Sequence, residues 1–298
     1  MRAAPTLALG TAQWGRAYGI SNRSGPPSRE QLTRMLKAAE SNGVATLDTA
    51  RAYGSEEVIG ELLGGDKRWR IVTKLAPDLL DGNPPEPEVR RRTEASLAAS
   101  LSALRVERLE ALLVHRARHR DHPPLWDVLR GWKDSGRISA IGVSAESPSL
   151  ALQYLEDPEV DVLQVASSLF DQRLSREGFF ERARGLGKEV FVRSVFLQGA
   201  PFLPEAELAD RLPGLLEPVR EVRRHLLGST RSLQEILLVY ARDHFRASLV
   251  IGAETPEQLG EILSAWRSSP LEGPLEELTQ RGWDLPDEVL DPSRWLRR

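Results

Sequence analysis

Four residues of this chain combine side-chain types that could carry out acid–base chemistry. Asp48, Tyr53, Lys74 and His115 each lie at or just behind the end of a short apolar run. An ordinary tyrosine has a pKa near ~10, which is too high for ready proton donation at neutral pH. A nearby lysine ammonium lowers that pKa, and a carboxylate keeps the lysine charged and in place. An imidazole beside the phenol can orient a second reactant or share the proton, so the set suits protonation of an oxygen that becomes an alkoxide.

The apolar runs alternate with segments of helical periodicity along the chain. Short, continuous apolar strands between helices are typical of a parallel sheet covered by those helices. We count eight strand–helix units, with strands predicted over 7–13, 45–50, 70–75, 109–114, 138–143, 160–165, 189–196 and 247–251. Helices are predicted over 28–42, 55–63, 87–104, 123–134, 147–156, 175–186, 205–227, 231–245 and 255–267.

Eight such units in 298 residues predict an α/β fold, a closed (β/α)8 TIM barrel. We expect a single domain over residues 1–298 with a C-terminal extension. An open, doubly wound sheet is the main alternative, and it would require a Gly-x-Gly-x-x-Gly turn after the first strand. Gly10 is followed by threonine instead. In a barrel the working residues stand at the carboxyl ends of the strands, so the four residues would meet on one rim.

The composition restricts the classes of function. The formal net charge is −3, so no global positive field is available to neutralise nucleic-acid phosphates. The absence of cysteine excludes disulfides, thiolate metal sites and cysteine nucleophiles. The amino-terminal stretch does not resemble a secretory signal, and no apolar run approaches the ~18 residues of a membrane span. We therefore expect a cytoplasmic protein without nucleic-acid or membrane partners.

Each of the four residues also has a structural interpretation. A lysine at a strand end is usually solvated, a histidine after a strand is usually structural, and an aspartate there is often a helix N-cap. A tyrosine is usually a packing residue, and Tyr18, Tyr154 and Tyr240 are interpreted as loop or helix packing. The coincidence of all four residue types on three consecutive predicted strands favours function.

The segments LGTAQWG, LDTARAYGSEE, VTKL and LLVH, in this order and spacing, resemble the aldo-keto reductase family. The resemblance covers nearly the whole chain and implies reduction of an aldehyde or ketone to an alcohol by NAD(P)H bound directly to the barrel. By this resemblance, Tyr53 would be the general acid. Asp48 and Lys74 would be its tuning pair, and His115 would orient the carbonyl.

The resemblance also implies cofactor-binding residues on the later strands. Ser144 would hold the nicotinamide amide, and Ala145 replaces an asparagine of the family. Gln164 matches a glutamine on the sixth strand. Arg193 stands where many members have a ring-stacking tyrosine; a guanidinium plane can also stack on a ring, and an internal ion pair is its structural alternative. The complete implied set is Gly10, Thr11, Ser144, Gln164, Arg193, Ser194, Phe196, Gly199, Gly252 and Gln258.

The segment after the last predicted strand concerns the choice of nucleotide. Residues 250–261 resemble the adenosine-phosphate segment of the family, with a helix N-terminus available for an anion. The family resemblance implies NADP(H). However, Gly252 and Gln258 replace the basic residues that some members use for the 2′-phosphate, and Glu254 adds negative charge. NAD(H) is therefore the alternative.

The substrate side of the site is less defined by the sequence. Trp14 could form a wall of the substrate pocket, with core or loop packing as the alternative. His115, His119 and His122 superficially suggest a metal site, but that spacing usually requires a helix, so no metal is expected. The expected partner is a small-molecule carbonyl compound, and the oligomeric state is left open. A redox-neutral epimerase- or dehydratase-like enzyme and a nucleotide-sensing protein are the alternatives that use the same site.

Overall fold

A computed structural model, which describes residues 5–295, forms a closed barrel of eight parallel strands. The strands pair in chain order, and β8 closes the ring against β1. They are β1 (Leu7–Gly10), β2 (Thr46–Asp48), β3 (Arg70–Lys74), β4 (Leu109–Val114), β5 (Ile138–Ser144), β6 (Val162–Ala166), β7 (Glu189–Arg193) and β8 (Ser248–Ile251). The predicted (β/α)8 barrel is confirmed.

Helices surround the barrel. They are α1 (Ala12–Gly15), α2 (Arg29–Ser41), α3 (Glu56–Leu63), α4 (Glu86–Leu104), α5 (Pro123–Asp134), α6 (Pro148–Leu155), α7 (Arg173–Arg176), α8 (Phe179–Gly185), α9 (Glu205–Arg211), α10 (Pro213–His225), α11 (Leu233–Phe245), α12 (Pro256–Trp266), α13 (Pro274–Arg281) and α14 (Asp287–Leu290). Within residues 5–295, no helix has the length and apolar character that crossing a membrane requires.

Several predicted elements are shorter or divided in the structure. The strand predicted over 7–13 ends at Gly10 because α1 begins at Ala12, and the strand predicted over 45–50 spans only Thr46–Asp48. The helix predicted over 175–186 is divided before α8, where Gly178 adopts a φ of 64°. The helix predicted over 205–227 is divided at Leu212, because the proline that follows disfavours helical backbone at the residue before it. The strand predicted over 189–196 ends at Arg193, since the next residue, Ser194, has a φ of 63°.

The barrel interior is a packed layer of side chains rather than a pore. Ala8, Val72, Ala111, Leu113, Val162 and Phe191 form this inner cluster, and each is at most 1% exposed. Below it, Arg70 pairs with Glu189 and lies over the ring of Phe191. A larger apolar cluster joins the outer faces of the strands to the helices. Because these side chains fill the interior, the space between the described strands has no room for a ligand.

One close backbone contact determines where the loop after β1 lies. A Cβ atom on Gly15 would lie 2.2 Å from the carbonyl oxygen of Tyr53 and 2.5 Å from the carbonyl carbon of Gly54. Only glycine permits this approach. The loop after β1 is therefore held against the segment that carries Tyr53.

The packing of α3 on α4 gives a testable prediction of stability. A Cβ on Gly60 would lie 2.0 Å from the Ala103 carbonyl oxygen, so Gly60→Ala must separate the two helices. We expect overpacking to lower the free energy of unfolding by about 1–3 kcal/mol, measured by urea denaturation. Gly131→Ala on α5 is the matched control, because nothing lies within 4 Å of its Cβ. It should be neutral or stabilise by up to ~1 kcal/mol, and equal effects of the two substitutions would contradict the prediction.

Candidate active site

A buried ion pair links the ends of β2 and β3. Lys74 Nζ lies 2.7 Å from Asp48 Oδ1 and donates a second hydrogen bond, of 2.8 Å, to the carbonyl oxygen of Thr49. Lys74 is fully buried and Asp48 is 4% exposed. The parallel register places Asp48 beside Val72, two residues before Lys74, so neighbouring strand ends deliver the two side chains to one point.

This pair keeps Lys74 protonated. Burial alone would lower the pKa of its ammonium, but the negative charge of Asp48 and the nearby Tyr53 outweigh burial, and the pKa is raised above its ordinary value. The Lys74 Nζ atom lies 5.2 Å from the ring centroid of Tyr53. A permanent positive charge therefore stands beside the phenol, as the tuning of an acid requires.

Tyr53 and His115 meet across the rim. Tyr53 lies in a 3-10 helix, Arg51–Tyr53, that ends at Gly54 with a φ of 70°. His115 follows β4, and the two ring centroids are 5.9 Å apart in a T-shaped arrangement. The structure thus brings Asp48, Tyr53, Lys74 and His115 together.

His115 is uncharged at neutral pH. Burial is the main cause, and the positive charges of Lys74 and Arg193 add to it, so the pKa of the imidazole falls to about 3. A neutral imidazole carries one N–H donor and no proton to release at ordinary pH. Of the two roles considered for His115, orientation of a substrate oxygen is the one this charge state supports.

A buried glutamate fixes the segment that carries Tyr53. Glu56, in the first turn of α3, is fully buried and accepts hydrogen bonds from Thr73 (2.6 Å), Ser100 (3.1 Å) and Arg51 (2.8 Å). These partners come from β3, α4 and the 3-10 helix itself. The sequence does not distinguish Glu56 as a site residue, because a glutamate in a first helical turn usually faces solvent.

Two cavities open at the rim and share residues. The larger, of about 680 Å³, lies over the ends of β4 to β7 and includes Tyr53, His115 and Ser144 in its lining. The smaller, of about 130 Å³, lies against β1, β7 and β8. Tyr18, Gly19, Tyr53, Arg193 and Gln198 line both. The phenol of Tyr53 therefore stands where the two cavities meet.

The predicted cofactor residues are distributed over these cavities. The smaller is lined by Gly10, Thr11, Arg193, Ser194, Phe196, Gly199, Gly252 and Gln258. Ser144 lines the larger. Gln164 and Trp14 are absent from the described lining of both. Trp14, expected as a possible wall of the substrate pocket, is 3% exposed within the apolar core.

Gln164 binds protein groups. Its Nε2 donates a hydrogen bond of 2.7 Å to Asp48 Oδ1, the atom that also accepts from Lys74. Its Oε1 lies 3.4 Å from the Ser144 hydroxyl. Gln164 is fully buried, so in this structure it orients the Asp48 carboxylate and connects Ser144 to the ion pair.

Arg193 spans the rim between β7 and β5. Its Nη2 donates a 3.0 Å hydrogen bond to the carbonyl oxygen of Ala145, and its Nη1 lies 3.4 Å from the Ser194 hydroxyl. No carboxylate pairs with it among residues 5–295, so the alternative of an internal ion pair is not seen in the described part of the chain. Its positive charge borders both cavities.

The N-terminus of α12 is already partly occupied by its own side chains. Thr255 accepts from the Gln258 N–H at 3.1 Å, and Gln258 Oε1 accepts from the Glu254 N–H at 2.6 Å. Glu254 lines the smaller cavity. The expectation of a free helix N-terminus for an anion is therefore modified, because two N–H groups are bonded internally and a carboxylate lies beside them.

The loop after β1 contributes residues that the sequence analysis did not assign to the site. Tyr18, interpreted there as loop packing, lines both cavities, and its hydroxyl accepts a 3.1 Å hydrogen bond from Gln198. The Ile20 N–H donates to the Gln198 carbonyl oxygen at 3.0 Å. Arg16 also lines the larger cavity. Nothing in the local sequence indicates these contacts, since they depend on how two distant loops meet.

Comparison with known proteins identifies the family of this protein. A profile of the aldo/keto reductase family matches residues 6–272. The chain belongs to the aldo/keto reductase family, as the sequence resemblance predicted.

Two curated relatives match part of the chain. A glyoxal reductase from Bacillus subtilis (strain 168) is 26% identical over 172 residues, which are 57% of this chain and 59% of that protein. An uncharacterized oxidoreductase from the same organism is 25% identical over 190 residues, or 60% of this chain and 64% of that protein. The chain thus spans less than two thirds of the length of either relative.

Solved structures share the fold. An aldo-keto reductase from Bacillus halodurans in its holo form has a TM-score of 0.73 at 21% identity, over 97% of this chain and 94% of that chain. A glycerol dehydrogenase from Gluconobacter oxydans has a TM-score of 0.71 at 20% identity, over 92% of this chain and 90% of that chain. At this level of identity the likeness supports the barrel architecture alone.

Proposed function

We propose that this protein is an NAD(P)H-dependent carbonyl reductase, with one barrel domain over residues 1–298. The observation that carries the proposal is the position of Tyr53. Its phenol lies where the two cavities meet, beside a neutral His115 and the buried Lys74–Asp48 pair. A phenol beside a fixed ammonium is suited to give a proton to a developing alkoxide.

Each residue of the site has a separate role in the proposed reduction. The His115 imidazole orients the carbonyl oxygen, and Tyr53 donates its proton to that oxygen as the C=O π bond breaks. When bound, a reduced nicotinamide supplies the hydride that forms the new C–H bond, so the carbonyl gains two electrons and the nicotinamide loses two. Lys74 stabilises the phenolate left on Tyr53. Asp48 holds the ammonium in place, and Gln164 holds the Asp48 carboxylate.

The smaller cavity has features that suit a dinucleotide. Its lining combines Gly10, Gly199 and Gly252 with the guanidinium of Arg193. A Cβ on Gly199 would lie 2.0 Å from Ser21 Oγ, and one on Gly252 would lie 2.3 Å from Gln13 Oε1, so a larger residue at either position would displace a side chain that lines the cavity. Bare backbone near a single cation is suited to a pyrophosphate. Ser144, on the other cavity, would hold the nicotinamide amide.

Consumption of reduced nucleotide tests this function. Wild-type protein with NADH or NADPH should oxidise it in the presence of short aldehydes and ketones, and the alcohol should accumulate in equal amount. A true substrate converted without net nucleotide oxidation would indicate the redox-neutral alternative. Tight nucleotide binding without turnover across a broad carbonyl panel would indicate the sensing alternative.

We propose NADH as the preferred nucleotide, with NADPH as the alternative that the family resemblance implies. The support is the charge of the smaller cavity. Its described lining contains the Glu254 carboxylate, and Arg193 is the one basic residue in that lining. Burial raises the pKa of Glu254, which indicates that water screens this carboxylate incompletely. A 2′-phosphate beside it would meet a like charge, whereas a ribose hydroxyl could donate a hydrogen bond to it.

The nucleotide preference can be measured by titration. Wild-type protein should bind NADH at least about tenfold more tightly than NADPH, equivalent to ~1.4 kcal/mol. Glu254→Gln should reduce that ratio toward unity by removing the like charge. Glu257→Gln is the matched control, because Glu257 is 72% exposed and pairs with Arg34 outside the cavity. Tighter binding of NADPH to the wild-type protein would contradict the preference.

A further inference from the structure

The larger cavity carries positive charge that carboxylates do not neutralise. Four arginines line it, namely Arg16, Arg173, Arg193 and Arg211. Two of them are paired: Arg173 with Asp171 at 2.8 Å, and Arg211 with Glu207 at 3.1 Å. Arg16 and Arg193 have no carboxylate partner among residues 5–295. The uncompensated charge is therefore at the end of the cavity that holds Tyr53.

The carboxylates of the same cavity are engaged elsewhere. Asp171 is held by Arg173, and Glu146 accepts a 3.0 Å hydrogen bond from the Ala117 N–H. Asp291 accepts from the backbone and hydroxyl of Ser293 and lies 3.5 Å from Arg294. In the described part of the chain, none of these carboxylates forms an ion pair with Arg16.

The Arg16 guanidinium lies over the ring of Tyr53, the proposed general acid. Its Cζ is 5.5 Å from the ring centroid of Tyr53 and 5.7 Å from that of Tyr18. The side chain is exposed to the cavity and bonded to nothing except these aromatic faces in the described part of the chain. A substrate with its carbonyl oxygen at Tyr53 would have its other end within reach of this guanidinium.

Arg16 and Arg193 differ in which bound molecule they can contact. Arg193 borders both cavities and is therefore accessible to a nucleotide in the smaller one. Arg16 lines the larger cavity and is absent from the described lining of the smaller. With a nucleotide bound, Arg16 would remain the free cation on the substrate side.

We propose that Arg16 determines substrate specificity by binding an anionic group, a carboxylate or a phosphate monoester, on the carbonyl substrate. This inference rests on the proposed reductase function and specifies its substrate class. A planar guanidinium forms charge-assisted hydrogen bonds with either oxyanion. The reaction itself is unchanged: Tyr53 protonates the oxygen of the carbonyl that is reduced.

Matched substrates test the proposal. The value of kcat/KM should be higher for 4-oxobutanoate than for its methyl ester, and higher for glyceraldehyde 3-phosphate than for glyceraldehyde. The two pairs together show which oxyanion is preferred. In Arg16→Met, kcat/KM for the anionic member should fall about 10- to 100-fold, as expected for loss of a hydrogen bond to a charged group. This decrease in kcat/KM should come mainly from a higher KM. The kcat/KM of the neutral members should change little.

Arg23→Met is the control for a general loss of charge. Arg23 lies on the same loop, is 69% exposed, pairs with Glu207 at 2.7 Å and does not line the larger cavity. Arg23→Met should leave kcat/KM unchanged for both members of each pair. An equal fall for anionic and neutral substrates in Arg16→Met would overturn the proposal, because it would show that Arg16 acts through Tyr53. Equal kcat/KM within both pairs for the wild-type protein would also overturn it.

A binding measurement separates this inference from the reductase function. If the wild-type protein oxidises reduced nucleotide with no compound of a broad carbonyl panel, the reductase proposal fails. Calorimetric titration with succinate and succinamide then decides the inference on its own. Tighter binding of succinate that is lost in Arg16→Met would support an anion site, and equal binding in the two proteins would overturn it.

Discussion

Tyr53→Phe is expected to reduce the rate of carbonyl reduction by about 10²- to 10⁴-fold, the usual contribution of a general acid. The variant retains the ring that contacts His115 and Lys74 and removes only the proton donor. Nucleotide affinity should change little, because the phenol contributes one of many groups to the smaller cavity. Single-turnover kinetics and a parallel fluorescence titration would measure the two quantities separately.

Tyr240→Phe is the matched control for loss of a phenol. The Tyr240 hydroxyl, on α11, is buried with no hydrogen-bond partner in the described part of the chain. Its removal should leave both activity and nucleotide affinity unchanged. Wild-type turnover in Tyr53→Phe would show that another group supplies the proton, and Tyr18 would then be examined, since it lines the same two cavities.

Lys74→Met is expected to lower the free energy of unfolding by about 3–5 kcal/mol, because it leaves the Asp48 carboxylate buried without its counter-charge. Asp48 would retain one hydrogen bond, from Gln164. Reduction should also fall, since the ammonium that would stabilise the phenolate left after proton transfer is gone. Urea denaturation measures the first effect and steady-state kinetics the second.

Two further variants isolate the cause of the destabilisation. Lys133→Met breaks a lysine–aspartate pair with Asp161 in which the two side chains are 35% and 33% exposed. Such a pair should contribute no more than about 1 kcal/mol. The double variant Asp48→Asn/Lys74→Met should recover part of the lost stability, because no charge is left unpaired. If Lys74→Met lowers the free energy of unfolding no more than Lys133→Met does, the Asp48 carboxylate must be stabilised by other groups when Lys74 is absent.

The fold and the proximity of Asp48, Tyr53, Lys74 and His115 follow from short-range features of the sequence. Asp48, Lys74 and His115 each end a short apolar run, and parallel strands bring their carboxyl ends to the same rim. Alternation of strands and helices therefore predicts their proximity. Tyr53 follows β2 by only five residues, so its position is limited by chain length.

Other parts of the site depend on contacts that the sequence does not encode locally. Gln164 was expected among the cofactor-binding residues, and the sequence did not indicate that its amide N–H donates to Asp48. Arg16 and Tyr18 reach the cavities because Gly15 lets their loop lie against Tyr53. Trp14, in α1 just before that loop, lies in the apolar core instead. Trp14 and Arg16 are only two residues apart, and no periodic pattern of the sequence distinguishes the buried one from the exposed one.

The hydrogen bond between Gln164 and Asp48 also has a consequence for folding. It joins residues 116 positions apart, from β6 and β2, and β8 must still close on β1 over an even longer stretch of chain. Loop-closure entropy opposes contacts of such separation until much of the chain is ordered. The ion pair can form between β2 and β3 early, but its full set of partners exists only after the later strands join. Recovery of activity during refolding would therefore report closure of the ring rather than formation of either half.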